Sequence, residues 1–489
     1  MVDRSVWNGT SGAIGPDRRS CPADAAALGT LGVVTSQTLI DDLRAVVGDA
    51  HVLTDADLVA TYETDWTGRF RGDAAAVVRP GSIDEVAGVV GACRAHRAAM
   101  VPQGGNTGLV GGSVPIDHEV VVSTARLNTI SDVDEDAGQL TAGAGVTLAA
   151  VQAAAADAGW RYAVDLAARD TATVGGMVAT NAGGLRVFRF GSTRRQLLGV
   201  EAVLGTGDVV RRIGGLVKDN TGLDLAGLLC GSEGTLGIVT RARLALVPAA
   251  GETVTALVGL SSIDVAMRAV GSLRRSVPGL EAVEVVFAAG AALVAEQTGA
   301  APVLDPIPPV QLVVEAVGPP DPTQSLQAAL AAVGGVLDVA VATDAARSAQ
   351  LWHVREAHTD AISRVGVPVK YDVTLPARAL PTFCAQVREQ VIRTSPDADT
   401  VLFGHLADGN VHVNVLGIDG ADATALDDAV LGLVVSSGGS ISAEHGIGRA
   451  KRAWLERDRG AGDVAAMAAV RRALDPDGIC NPGVLVSPR

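Results

Sequence analysis

Three glycine-rich segments crowd into the first half of this 489-residue chain, and they restrict its fold more than any other feature. The first, Pro102-Gln-Gly-Gly-Asn-Thr-Gly-Leu-Val-Gly-Gly-Ser113, holds five glycines in twelve positions. The second is Thr173-Val-Gly-Gly-Met-Val-Ala-Thr-Asn-Ala-Gly-Gly184, and the third is Gly231-Ser-Glu-Gly-Thr-Leu-Gly-Ile-Val239. Glycine lets backbone N–H groups converge on an anion with no side chain in the way. A single loop of this kind reads equally well as an ordinary flexible connection. Three in one domain, each beside apolar strands, imply a long ligand contacted along its length. None is the dinucleotide fingerprint G-x-G-x-x-G or a P-loop ending in Gly-Lys-Ser/Thr, which disfavours a plain NAD-binding enzyme.

The chain is too long for one ordinary core, so two or three domains are expected. Residues 1–35 lack sustained periodicity and read as a disordered arm. A helix is expected from Thr38 to Val47. A strand at Ala75–Arg79, a helix at Glu85–Arg97 and a strand at Ala99–Pro102 form one β-α-β unit. Glycine loops and short strands continue to about residue 250, through Val120–Ser123, Gln139–Ala144 and Ile238–Leu246. Strands such as Thr253–Leu260 and Val310–Val317 then alternate with Ala-rich helices to about 440. The expected organisation is a cofactor domain over 36–250, a substrate domain over 251–440 and a C-terminal segment, 441–489, returning between them.

Several classes are excluded. A formal net charge of -15 works against nucleic-acid binding, which needs clustered Lys and Arg. No apolar run approaches the roughly 18 residues of a spanning helix. No apolar stretch of the secretory type follows Met1–Arg4. The five cysteines (Cys21, Cys93, Cys230, Cys384, Cys480) form no close pair, which fits neither a disulfide framework nor an iron–sulfur cluster. A reducing cytoplasm is the expected setting.

The three loops closely resemble the cofactor domain of the vanillyl-alcohol-oxidase type of flavoproteins, in its D-2-hydroxyglutarate/D-lactate dehydrogenase branch. The resemblance runs from about residue 40 to 488. It implies an α+β chain: an FAD-binding domain of two α/β subdomains, an α+β substrate (cap) domain and a short C-terminal segment. It also implies that Gln103, Gly104, Gly105, Asn106, Thr107 and Gly108 hold the FAD pyrophosphate, with Ser113 alongside. Thr173, Gly176, Thr180, Asn181 and Gly183 would line the flavin and ribityl chain. Glu233, Gly234 and Ile238 would sit near the adenine end, and Asn481 would close over the ring. Some relatives tether FAD through a histidine in the first loop. Asn106 stands there instead, so non-covalent flavin is expected.

Three of the eight histidines lie in two C-terminal motifs. Val401–Val415 reads as two apolar strands around an Asp-Gly turn. With Asp408-Gly409 as a two-residue loop, His405 falls opposite His412, and Asn414 follows on the same face. A lone histidine near a turn is most often a surface or core residue. Two that face each other suit a divalent metal such as zinc. In Ser442-Ala-Glu-His-Gly-Ile-Gly448, Glu444 reads either as part of a solvated turn or as a third ligand, completing an open His₂Glu site. His445 can accept the proton of a metal-polarised hydroxyl. The resemblance assigns His405, His412 and Glu444 to zinc. It usually has Gly where this chain has Ala407, a change tolerable if φ there is negative.

Trp352–Thr359 reads as helical, with Arg355 and Thr359 spaced i, i+4 on one face. Lys370 lies in a strand-like segment. On spacing alone Arg355 reads as a partner of Glu356 or another surface carboxylate. The resemblance instead makes Arg355, Thr359 and Lys370 the residues that grip a distal carboxylate, with Asn414 and His445 also at the substrate. It therefore implies oxidation of D-2-hydroxyglutarate or D-malate to the 2-oxo acid. A D-lactate or glycolate dehydrogenase is the main alternative. An exchange enzyme like alkyl-glycerone-phosphate synthase and a catalytically silent flavin subunit are two more. Electrons must leave through a separate carrier, such as an electron-transfer flavoprotein or a quinone. The sequence leaves a homodimer open.

Overall fold

The computed structural model describes residues 37–318, 321–418 and 423–487. The reading of 1–35 as an arm lies outside them. The first sheet joins β1 (Val52–Leu53), β2 (Ala76–Val78), β3 (Met100–Gln103) and β4 (Val120–Ser123) in the order β1-β2-β4-β3. Strands β2 and β3 both run parallel to β4, as a crossover unit requires. Two helices cover it, α1 (Gln37–Val47) and α2 (Ile83–His96). The α2 helix starts where the Ser82 hydroxyl accepts the Glu85 N–H at 3.1 Å, and it ends at Arg97 in a left-handed conformation. Its Val86, Val89, Val90 and Cys93 recur at helical spacing and are fully buried.

The second sheet joins β5 (Gln139–Gly143), β6 (Leu197–Leu204), β7 (Val209–Arg212) and β8 (Gly237–Ala245) in the order β5-β8-β6-β7, antiparallel throughout. The short helix α3 (Val174–Thr180) packs on it and carries most of the second glycine segment.

The third sheet has seven antiparallel strands. They are β9 (Thr253–Leu260), β10 (Leu280–Phe287), β11 (Val310–Val317), β12 (Val336–Ala342), β13 (Val369–Thr374), β14 (Asp399–His405) and β15 (Asn410–Leu416). Their order is β12-β9-β11-β10-β14-β15-β13. One face packs on four helices, α4 (Ile263–Ser276), α5 (Thr323–Ala331), α6 (Leu380–Thr394) and α7 (Ala423–Ser436), and forms the largest core. Strand alternation therefore turns every second residue of β10, β13, β14 and β15 to the opposite face, where the polar residues collect.

Residues between β5 and β6, in the second part, meet the third part in an ionic cluster. Arg161 pairs bidentately with Glu281 at 2.9 and 2.7 Å. Arg186 reaches Asp165 at 2.6 Å and Glu315 at 3.0 Å, and the Trp352 indole donates to the other oxygen of Glu315 at 3.2 Å. After the helix α8 (Ala461–Leu474), the chain returns to the first sheet. The Asn481 N–H donates to Met100 O at 2.8 Å, and the Met100 N–H donates to Ile479 O at 2.7 Å. Among the described residues, no helix is long and apolar enough to cross a membrane. Cys93, Cys230, Cys384 and Cys480 are free and buried.

Candidate active site

The first two glycine segments form one wall. A Cβ on Gly104 would lie 2.2 Å from Thr173 Oγ1, and one on Gly105 would lie 1.8 Å from Thr171 O, so only glycine allows this approach. Gly108 instead faces open space, with Thr107 beside it in the same loop. Gln103 is buried and donates to the carbonyls of Tyr62 and Ser113, both at 2.9 Å. Asn106, at φ 52°, donates to Thr64 O and accepts from the Ser113 hydroxyl, both at 2.8 Å. These polar side chains fasten the loop and leave its backbone to a ligand.

Thr173 stands at the N-cap of α3 but caps nothing, and its buried hydroxyl has no partner among the described residues. Gly176 and Thr180 lie within α3, where the Thr180 hydroxyl donates to Gly176 O at 3.0 Å. Asn181 closes the helix at φ 53° and accepts from Ser192 Oγ and Arg194 N. Asn481 donates to Gly112 O at 2.7 Å and to Glu233 O at 2.8 Å, tying the first and third segments together. Its buried Oδ1 is also unpartnered. Two orphaned buried oxygens beside a wall without side chains fit a ligand rich in hydrogen-bonding groups.

Two residues of the third segment turn their side chains towards other parts of the chain. The Ile238 side chain is buried in the core beneath the first sheet, which leaves only its backbone to a ligand. The Glu233 carboxylate faces the C-terminal segment and accepts the N–H groups of Ile447 and Gly448. Gly234 beside it has φ +74°.

The polar face of the third sheet carries a row of titratable groups. Register pairs Glu284 of β10 with His405 of β14, and His412 of β15 with Asp372 of β13. His412 stands opposite Phe403, not His405. The two-residue turn expected from Asp408-Gly409 is a four-residue loop, and the histidines are diagonal neighbours on one face with ring centroids 5.4 Å apart. The reason is local. The Leu406 N–H turns away to Val283 O on β10, at 2.9 Å, so it cannot continue the hairpin ladder. Ala407 lies in that loop without a positive φ, and its methyl group is accommodated.

His405, His412 and Glu444 each offer a ligand atom, all within 4.8 Å of one another. Both imidazoles point Nδ1 at a buried carboxylate: His405 to Glu284 Oε1 at 2.7 Å, and His412 to Asp372 Oδ1 at 3.4 Å. The His405 Nε2 faces Glu444 Oε1 at 3.7 Å. A carboxylate behind the imidazole is the arrangement that orients metal-binding histidines. Burial alone would depress His405, but the adjacent Glu284 carboxylate lifts it to about 9. Burial lifts Glu444 to about 7, against the pull of His405. His412 is held well below its ordinary value by burial, and His445 is lowered for the same reason.

Asp372 is the hub that sequence reasoning missed. Its buried carboxylate accepts from Asn410 Nδ2 at 2.6 Å and from the N–H groups of Glu444 at 2.7 Å and His445 at 3.2 Å. His445 Nδ1 lies 3.7 Å away. Burial opposes its charge, but His445, His412 and Lys451 hold it well below the carboxylate range. Glu284 was missed too. It is fully buried and also accepts from Arg355 Nε at 2.8 Å. The two-residue period of Lys370, Asp372 and Thr374 could have flagged Asp372. Glu284 sits in a strand apolar on both sides and gave no such signal.

Arg355 is paired with this buried Glu284, not with a surface carboxylate. Its guanidinium also lies over Phe403, at 4.6 Å, and its Nη groups have no partner among the described residues. The single helix expected over 352–359 breaks at Ala357, so Arg355 ends one helix (Ala345–Glu356) and Thr359 opens the next (His358–Val365). Thr359 is exposed. Lys370 pairs in register with Asn414, and its half-buried ammonium lies 5.8 Å from the Trp66 ring. Asn414 is buried on the same face as His412. The glycine wall and the titratable cluster meet at Gly183, where a Cβ would come within 3.2 Å of Glu444 Oε1.

A long cradle without side chains, opening on a cluster of imidazoles and carboxylates, defines an oxidoreductase built around an extended cofactor. The FAD binding domain family matches residues 74–212, and the C-terminal domain of FAD linked oxidases matches residues 250–485. A D-2-hydroxyglutarate dehydrogenase of Xanthomonas citri pv. viticola is 39% identical over 456 residues, covering 91% of this chain and 96% of that protein. A Schizosaccharomyces pombe protein named as a mitochondrial D-lactate dehydrogenase is 34% identical over 445 residues, covering 87% of this chain and 84% of that protein. In fold, the chain is similar to p-cresol methylhydroxylase, with a TM-score of 0.73 at 16% identity over 92% of this chain and 96% of that one. The chain belongs to the FAD-linked dehydrogenases of the D-2-hydroxyglutarate/D-lactate branch, and its fold is that of the vanillyl-alcohol-oxidase type of flavoproteins.

Proposed function

We propose that this chain oxidises D-2-hydroxyglutarate to 2-oxoglutarate, with D-malate as a near relative, using non-covalent FAD and a divalent metal such as zinc. The observation that carries the reading is the meeting of cradle and cluster at Gly183, where a Cβ would lie 3.2 Å from Glu444 Oε1. His405, His412 and Glu444 would hold the metal. Gln103–Gly108, Ser113, Thr173–Gly183, the third glycine segment and Asn481 would hold the flavin, largely through backbone. When bound, FAD would supply the acceptor for the hydride of C2, and the cation would supply the Lewis acidity that lowers the pKa of the substrate hydroxyl.

The chain's own residues supply the remainder. His445, neutral because burial disfavours its charged form, accepts the hydroxyl proton. Asp372 faces its Nδ1, fixes the ring and stabilises the imidazolium that results. The free Nη groups of Arg355 bind the distal carboxylate, and Lys370 adds a point charge near Asn414. Thr359 would join them only at the exposed rim.

A D-lactate dehydrogenase is the second reading, favoured by the name of the Schizosaccharomyces pombe relative. Anaerobic flavin bleaching across D- and L-2-hydroxy acids separates the two. Rapid bleaching by D-2-hydroxyglutarate and slow bleaching by D-lactate is expected, and full metal removal should suppress both. No bleaching by any of them would overturn the function, and bleaching indifferent to complete metal removal would overturn the metal's part.

Non-covalent attachment is supported by Asn106, whose amide is occupied at both ends and offers no nucleophile. Acid or heat denaturation should release all yellow colour from the chain. Colour that stays with the precipitate would refute this. A separate electron acceptor, a homodimer and a cytoplasmic setting complete the proposal, the last in keeping with four free buried cysteines.

A further inference from the structure

We propose that Glu233 is a positioning residue that fixes the Glu444–His445 loop against the flavin-binding domain, and not a cofactor contact. Its carboxylate accepts two neighbouring backbone N–H groups, Ile447 to Oε1 at 2.8 Å and Gly448 to Oε2 at 2.7 Å. Asp372 takes the N–H groups of Glu444 and His445 from the other side. Four of the five backbone N–H groups from 444 to 448 are thus spent on two carboxylates, one from each domain. Lys451 lies beneath, buried, and its ammonium donates to Ile441 O at 2.8 Å where the loop begins. Its charge acts on both Asp372 and Glu233.

Glu233 is itself tightly held. Its backbone adopts φ 52°, a left-handed conformation that a residue of this size rarely takes without support. The support is visible. Its N–H donates to Ala179 O at 2.8 Å, in the second glycine segment, and its carbonyl receives the Asn481 amide. The side chain is therefore aimed from a rigid point. Gly446, at φ +81°, completes the fit, since a Cβ there would lie 2.9 Å from Glu233 Oε1. This geometry couples the placement of the flavin walls to the placement of the base and one metal ligand.

The test compares E233Q and G446A with the unaltered holoenzyme. A glutamine keeps the volume but turns an NH₂ group towards a backbone N–H, so one of the two bonds must fail. In E233Q, amide exchange at Ile447 and Gly448 should rise at least about tenfold while FAD per chain is unchanged. The kcat for the substrate should fall by about 10–100-fold with KM within about threefold, as expected for a misplaced catalytic loop. G446A, which leaves Glu233 in place, should give the same pattern. Loss of FAD with full kcat per bound flavin would overturn the proposal and return Glu233 to the cofactor. Unchanged exchange at 447–448, or unchanged kcat at full flavin, would also overturn it. The kinetic arm rests on the function proposed above. The exchange arm needs no substrate, so a wrong substrate and a wrong role for Glu233 give different results.

Discussion

Asp372→Asn is expected to lower kcat by about three orders of magnitude while the chain keeps its FAD. Asparagine fills the same space, so packing on β13 is preserved. The chemistry is not. Every contact of the carboxylate is to a donor: Asn410 Nδ2, the N–H groups of Glu444 and His445, and the imidazoles of His412 and His445. An amide has one accepting oxygen and must present its NH₂ to one of these donors. Lys451, buried and charged beside it, also loses part of its counter-charge. The ring of His445 is no longer fixed, and the imidazolium it forms is no longer stabilised. Stopped-flow reduction of the bound flavin measures the effect directly. A loss smaller than about tenfold, at full FAD content, would remove Asp372 from the mechanism.

The second large effect is one of selectivity. Removing Arg355 should cost kcat/KM for D-2-hydroxyglutarate about a hundredfold or more, since hydrogen bonds to charged groups contribute about 1.5–3 kcal/mol each. D-lactate, with no second carboxylate, should lose less than about fivefold. Arg355→Leu alone is a poor variant for this. Glu284 would be left as a fully buried carboxylate with only His405 for a partner, which disturbs the metal cluster for every substrate. The informative comparison is Arg355→Leu with Glu284→Gln against Glu284→Gln alone. Equal losses on the two substrates in that pair would end the distal-carboxylate role.

The sequence was most informative where a backbone requirement shows in residue type. Gly104 and Gly105 stand where no Cβ can fit. The helix expected at Glu85–Arg97 likewise falls on α2, whose Val86, Val89, Val90 and Cys93 recur at helical spacing and are buried. It was less informative where tertiary contacts outvote local rules. Asp408-Gly409 has the composition of a two-residue turn, yet Leu406 bonds to β10, and the register moves by two. The histidines stay together only because a shift of two preserves the face, whereas a shift of one would have separated them. The helix break at Ala357 carries no glycine or proline, and nothing in Trp352–Thr359 announces it. The Glu233 motif reads as a cofactor loop, which says nothing of where its carboxylate turns. Its backbone lies there, while its carboxylate serves another segment of the chain.

The ionic cluster of Arg161, Arg186, Glu281 and Glu315 has a kinetic consequence. Prising the sheet away from the cofactor domain would cost Arg161, Glu281 and Glu315 their ionic partners and leave Arg186 with Asp165 alone. Partly buried charges are costly to separate, so the cluster opposes opening of the contact between the two halves. The cluster therefore favours entry and exit of substrate by side-chain and loop motions, in the nanosecond-to-microsecond range, over opening of the whole contact.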